Sequence, residues 1–325
     1  MRIAAFASDI PEHRLDAMEI IQSAGGKRSE ARVFCKLFGI ESVAALGAEQ
    51  SLADCFLALT DRVAGQLDAE VAIDTLIYVH ALPIQPGGEA SITVQLCRRH
   101  AALHQVQRRY EINQHNCGGG FWGLMLAYRL LQQGIAKRVL LVVGDSLSGF
   151  DPIERYIPGC TLLGDGFAAL VVDNHHTGVQ LDRPYLHHRP EFYPGLFGDV
   201  DKNRGFYEAH YAMIDTALSA IGFSVQTHGA LLPHNINRLT WMNYERINPA
   251  LKEKIDLSLL PDVGHCCASD PFLMLGSWLQ QPDRQRQPIT LLSIGAGAFI
   301  GACNVYFPPQ STVSWEEGGR HDVAL

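Results

Sequence analysis

Three residues of this 325-residue chain stand where chemistry can be done: Cys117, His234 and His265. Cys117 lies in Asn116-Cys117-Gly118-Gly119-Gly120, between a short apolar run from Tyr110 and a long amphipathic one. That order predicts a strand, a sharp turn carrying the cysteine, and a helix. A thiol at a helix N-terminus meets the positive end of the dipole and free backbone N–H groups, which favour thiolate. The three glycines are expected to let a substrate approach the backbone closely. This is how a nucleophilic thiol is built. A buried, inert cysteine ahead of a glycine-rich helix start is the competing reading.

His234 follows the predicted strand 230–233, in Pro233-His234-Asn235-Ile236-Asn237. His265 opens His265-Cys266-Cys267-Ala268-Ser269-Asp270, just before a helix predicted from Pro271. An imidazole can serve as a base, an acid or a hydrogen-bond donor. The His-Cys-Cys run contains metal-binding residue types. Adjacent ligands without a second spaced pair do not make a metal site, so neither metal nor cofactor is expected.

The elements that must position these residues alternate. Strands are expected at 2–6, 75–82, 139–144, 179–187, 230–233, 289–294 and 299–307. Helices are expected at 11–23, 47–65, 89–104, 206–221 and 238–247, from hydrophobic positions on one face. The aromatic, Pro/Gly-rich stretch 182–205 is expected to cap the site. Short apolar strands alternating with helices argue an α/β fold with buried sheets. Each half, divided near Asn174, is expected to repeat a βαβ pattern. Residues 1–174 carry the cysteine and 175–325 the two histidines, with 308–325 a loose tail.

Composition narrows the class. A hydrophobic fraction of 47% supports a large core, and a net charge of −8 argues against nucleic acid as a partner. No apolar run is long enough to span a membrane. Eight cysteines without framework spacing, and no secretory segment, predict a reducing, cytoplasmic setting.

The chain resembles β-ketoacyl-acyl-carrier-protein synthase III and its relatives in the thiolase superfamily. Five segments carry the resemblance, in family order: Asn116-Cys117-Gly118-Gly119, Leu163-Gly164-Asp165-Gly166, Pro233-His234-Asn235-Ile236-Asn237, Gly264-His265-Cys266-Cys267-Ala268-Ser269 and Gly295-Ala296-Gly297. The resemblance implies a five-layered αβαβα fold with two pseudo-duplicated halves, usually dimeric. It implies an acyl group taken from a thioester by Cys117, and His234 as a donor and proton carrier. The oxyanion would meet the backbone N–H groups of Cys117 and Ala296. Gly295 and Gly297, Asn237 and Arg238 would shape substrate or carrier binding, and the two glycines are also explained as tight-turn residues.

Three positions depart from the family pattern. His265 stands where the family has asparagine, and an imidazole can act as a base where an amide cannot. Glu89 matches the place of a base in relatives that join two acyl chains, where it reaches the partner subunit's tunnel. It is equally explained as a solvated residue at a helix N-terminus. Val33 and Leu37 replace the tryptophan and arginine that clamp the coenzyme A adenine, and Lys36 nearby cannot stack in the same way. The donor expected is therefore an acyl carrier protein, with coenzyme A thioesters as the alternative. Arg238, Arg246, Lys252 and Lys254 would offer its acidic surface a basic rim, or would be ordinary solvated charges.

The expected activity is an acyl-enzyme condensation onto a carbon nucleophile, in fatty acid or polyketide-type specialised biosynthesis. The alternatives are transfer to an oxygen or nitrogen acceptor, and a non-catalytic subunit of a heterodimer. A homodimer is the expected assembly.

Overall fold

The structure, a computed structural model, describes residues 1–47, 49–68, 71–82, 91–175, 178–193, 200–284 and 287–308. The expectations for Glu89 and for most of the 308–325 tail fall outside the described residues.

Among the described residues ten strands form one hydrogen-bonded sheet, nine of them on a single path. Its order is Ala230–Pro233, Ile289–Gly295, Phe299–Tyr306, Gln180–Leu181, Arg2–Asp9, Gly166–Asp173, Arg138–Asp145, Thr75–Val79 and Arg108–Ile112, with Tyr185–His188 pairing on Phe299–Tyr306. The two-residue strand Gln180–Leu181 bridges the halves, pairing with Arg2 on one side and with Val305 and Tyr306 on the other. Within each half the pattern recurs. Thr75–Val79 runs parallel to Arg138–Asp145, which is antiparallel to Gly166–Asp173. Ala230–Pro233 likewise runs parallel to Ile289–Gly295, which is antiparallel to Phe299–Tyr306.

Two helices lie between the half-sheets. Gly119–Gln132 packs on Thr75–Val79 and Arg138–Asp145 from one side, and on Phe299–Tyr306 and Tyr185–His188 from the other. Asp270–Leu279 packs between Arg2–Asp9 and Gly166–Asp173 on one side and Ala230–Pro233 and Ile289–Gly295 on the other. A helix covered on both faces must be apolar all round. All ten residues of Asp270–Leu279 are buried accordingly. Leu52–Gly65 covers the outer face of the N-terminal half-sheet, and Val200–Ala220 that of the C-terminal one. These are the five layers of an αβαβα fold. Phe121, Leu124, Leu141, Phe272 and Leu291 fill the central core. Each such side chain contributes about 1.5–3 kcal/mol by burial.

Several boundaries differ from the sequence expectation. Residues 14–16 form a strand pairing with Ser42–Ala44, and the helix is only Ala17–Ser23. The basic, apolar run 28–38, given no element above, is a helix ended by Gly39 in the left-handed region. The expected cap at 182–205 contributes a strand, Tyr185–His188, and the helix after it begins at Val200 rather than at 206.

Candidate active site

Cys117 sits in a single 3₁₀ turn, Asn116–Gly118, that leads into the helix Gly119–Gln132. Asn116 adopts φ +47°, a left-handed conformation that asparagine tolerates better than most residues. Its Nδ2 donates to the Ala296 carbonyl at 2.7 Å, and the Ser293 hydroxyl donates to the Cys117 carbonyl at 2.7 Å. The turn is thus fastened to the strand Ile289–Gly295 of the other half. The glycines have a different role from the one expected. A Cβ at Gly118 would meet the Phe299 carbonyl oxygen at 2.6 Å, and one at Gly120 would meet the Phe272 ring at 2.4 Å. They let the helix seat closely between the sheets; the space beside them is filled by protein, not substrate.

His265 arrives from the second half. Its N–H donates to the Leu162 carbonyl at 2.9 Å, and its carbonyl accepts from Gly164 N–H at 3.0 Å. Its Nε2 lies 3.1 Å from Cys117 Sγ, and its Nδ1 lies 2.5 Å from Asp270 Oδ2. Asp270 is fully buried and its other bonds come from backbone. Asn235 N–H donates to Oδ2 at 2.6 Å and Cys266 N–H to Oδ1 at 2.8 Å. One carboxylate therefore fixes the imidazole and ties the His234 loop to the His265 loop.

The electrostatics follow from this geometry. Cys117 is held down at about 5, first by a hydrogen bond from the Cys267 thiol. Burial opposes this, and His265 restores it through charge and hydrogen bond. Burial also works against a charged His265, but the Cys117 thiolate and the Asp270 carboxylate prevail and raise it to about 10. At neutral pH the pair is thiolate and imidazolium. His234, buried and facing His210 and His265, is driven well below its ordinary value and is neutral. Its Nδ1 accepts from Ile294 N–H at 3.4 Å, which leaves the proton on Nε2.

The three expected residues converge. The His234 and His265 rings lie 6.1 Å apart, and both line one cavity of about 170 Å³ with Cys117. Its further lining includes Leu82, Ile157, Thr161, Phe206, His210 and Ile294. Ala296 and Asn237 also reach it, but both ends of the Asn237 amide are occupied. Its Oδ1 accepts from Thr240 N–H at 2.7 Å as a helix cap, and its Nδ2 donates to the Cys160 carbonyl at 2.9 Å. Arg238 does not line the cavity; it donates to the Lys36 carbonyl. Lys254 donates to the His228 carbonyl at 2.9 Å, whereas Arg246 and Lys252 are exposed. Val33 and Leu37 lie exposed on the helix beside Arg238. Gly297, at φ +86°, needs its missing side chain for the turn after Gly295.

Sequence reasoning missed Asp270, Cys267 and His210. Asp270 stands before a proline at a helix start, where an aspartate ordinarily signals only a cap. Cys266 is buried, with its sulfur packed under Gly164 and Gly166. Cys267, at φ +52°, points instead at the nucleophile. Cys117, His265 and Cys267 bring their donor atoms within 4.8 Å of one another, a set that could hold a metal ion. The third donor comes from 148 residues away, beyond the reach of a spacing rule. The Gly-Asp-Gly segment is structural. Buried Asp165 takes a two-pronged bond from Arg155 at 2.8 and 3.0 Å, and also accepts from Leu46 and Leu147 N–H.

A thiolate–imidazolium–carboxylate array between two half-sheets, inside five layers, places the chain among proteins of the thiolase fold. Residues 110–183 match the family model of 3-oxoacyl-[acyl-carrier-protein] synthase III. The fold is that of the synthase III-like condensing enzymes. FabH, the 3-oxoacyl-(acyl carrier protein) synthase III of Xanthomonas oryzae, superposes with a TM-score of 0.75 at 16% identity, covering 94% of this chain and 98% of its own. OleA of Xanthomonas campestris, solved with lauric acid and lauroyl-CoA, gives 0.76 at 17% identity, over 94% and 98%. The acyltransferase ChlB3 gives 0.76 at 19% identity, over 96% and 99%. No curated protein sequence matches the chain. Among the described residues, no helix is long and apolar enough to cross a membrane.

Proposed function

We propose that this chain is an acyltransferase that takes an acyl group from a thioester onto Cys117 and hands it to a second nucleophile. The observation that carries the reading is the unbroken line from Cys117 Sγ through His265 to Asp270, at the end of a mainly apolar cavity. In the first step the thiolate attacks the thioester carbonyl. The oxyanion meets backbone N–H groups of Cys117 and Ala296 and the Nε2 proton of His234. The donor thiolate departs with the proton from His265 Nε2. His265 is then neutral, with Nδ1–H still held by Asp270.

The carboxylate behind His265 favours an oxygen or nitrogen acceptor. Such a nucleophile must lose a proton as it attacks, and neutral His265 takes it at Nε2. Cys117 leaves as thiolate beside the renewed imidazolium, and an ester or amide is released. Condensation onto carbon is the second reading, favoured by the neutral His234, whose N–H suits an enolate oxygen. Glu89 of a partner subunit would be its base in a non-decarboxylating route.

An acyl carrier protein is the proposed donor, with coenzyme A thioesters as the alternative. Exposed Val33 and Leu37, on the helix whose Lys36 carbonyl accepts from Arg238, offer an apolar centre with a basic edge next to the helix Arg238–Ile247. A homodimer, a cytoplasmic setting and the division into halves 1–174 and 175–325 complete the proposal. Intact mass after incubation with acyl donors tests it. An adduct that is absent from Cys117→Ala supports it, and no adduct with any donor refutes it. Discharge of the adduct by alcohols or amines separates acyltransfer from condensation, which releases a β-keto product instead.

A further inference from the structure

Most polar groups around the cavity are already engaged. Asn116 and Asn237 bond to backbone, and His265 spans Cys117 and Asp270. Cys160, pushed up to about 12 by burial, presents only a neutral thiol. Among the described lining residues, two buried side-chain atoms have no partner: His210 Nε2 and Thr161 Oγ1. Both residues line the cavity, His210 at 6% exposure and Thr161 at 0%. Each is linked to the His234–Asn237 loop. The Cys160–Thr161 segment is tied to Asn237 by the Nδ2 bond at 2.9 Å, and the His210 ring lies 5.8 Å from that of His234. Burial lowers His210 to about 4, so its ring is neutral, with one donor and one acceptor nitrogen. A buried polar atom in the wall of an apolar cavity is costly unless something bonds to it.

We infer that the acyl group held here carries its own hydrogen-bonding function, a hydroxyl, keto or amide group, which His210 Nε2 and Thr161 Oγ1 recognise. The inference rests on the acyl-enzyme reading and adds the class of acyl group to it. The described residues leave about 170 Å³, close to the ~150 Å³ that holds a benzene-sized molecule, so the part of the acyl group lodged there is short. A plain alkyl chain of equal length would fill the space and leave both polar atoms unpaired. Sites built to bond a substrate hydroxyl discriminate strongly against the analogue that lacks it.

The test compares loading of Cys117 from a short saturated acyl N-acetylcysteamine thioester and from its hydroxylated analogues, with the hydroxyl moved along the chain one carbon at a time. Intact mass gives the rates. At one position the hydroxylated donor is expected to load about tenfold faster or more. That ratio should fall towards unity in His210→Phe and in Thr161→Val. Equal or faster loading of the saturated donor against every analogue, in the unaltered protein, overturns the inference and leaves the acyl enzyme standing. A ratio unchanged in both variants overturns it as well. If no donor loads Cys117, the acyl-enzyme reading falls and takes this one with it. The comparison in the unaltered protein does not depend on either variant folding.

Discussion

Asp270→Asn is the sharpest perturbation of the proposed relay, because it removes a charge and almost no volume. Three donors converge on the two oxygens of Asp270: His265 Nδ1, Asn235 N–H and Cys266 N–H. An amide offers one oxygen, and its NH₂ must then face a donor. With the NH₂ towards Cys266 N–H, two donors collide and a buried N–H loses its acceptor. With the NH₂ towards His265, the ring is asked to accept at Nδ1. Its proton moves to Nε2, and the base facing Cys117 is gone. Either arrangement orphans one backbone N–H, Cys266 in the first and Asn235 in the second, at about 1–3 kcal/mol of stability, and in both the imidazolium loses its carboxylate charge. The second costs the proton transfer, about 10²–10⁴-fold in rate. The assay is a single turnover followed by intact mass, with loading and discharge timed separately. Loading should persist, because a thiolate can still form. Discharge to a protic acceptor should slow by the factor given. Discharge at the parental rate in a folded variant would refute the role given to His265 and Asp270.

Other expectations follow from the same geometry. Thiolate is the reactive form, so alkylation of Cys117 by iodoacetamide should rise with pH through about 5 and then stay level. A profile rising through about 8.5, as for an ordinary thiol, would sink the ion pair. Cys267→Ala removes the largest influence holding Cys117 down, so the same profile should shift to higher pH, whereas an unmoved profile would deny that hydrogen bond. Gly295→Ala would set a Cβ 2.2 Å from the His115 carbonyl oxygen and force the Asn116 turn off its strand. It should lower stability by about 1–3 kcal/mol in thermal unfolding and slow Cys117 alkylation. Arg155→Leu leaves the Asp165 carboxylate buried without its cation. It should cost about 3–5 kcal/mol in urea unfolding, and an unchanged midpoint would contradict that role.

The parts of this site that were legible in the sequence share one property: their signal is local. Asn-Cys-Gly-Gly-Gly before an amphipathic run announces Cys117, and apolar strands end at His234. What was missed depends on tertiary contacts that neither spacing nor periodicity encodes. His210 is one ring in a helix, packed against Phe206 and Tyr211 of that helix, and only the fold shows that it lines the cavity. Cys267 differs from Cys266 by the direction of one backbone turn, which alternation along a chain does not encode. The glycines after Cys117 could equally have opened space for substrate or for a packed helix. Phe272 and Phe299, far along the chain, decide for packing.

The nucleophile stands in the turn that opens one central helix, and the base stands two residues before the turn that opens the other; both helices are clamped between the half-sheets. Their separation of 3.1 Å is therefore a register between two rods, not a property of one loop. A slide of one rod along the other by a fraction of an ångström would stretch that gap and leave each helix's own hydrogen bonds intact. Reactivity at the sulfur thus gauges the fit of the whole interior. Mutations deep in the sandwich, far from any substrate, should first announce themselves as a slower thiol.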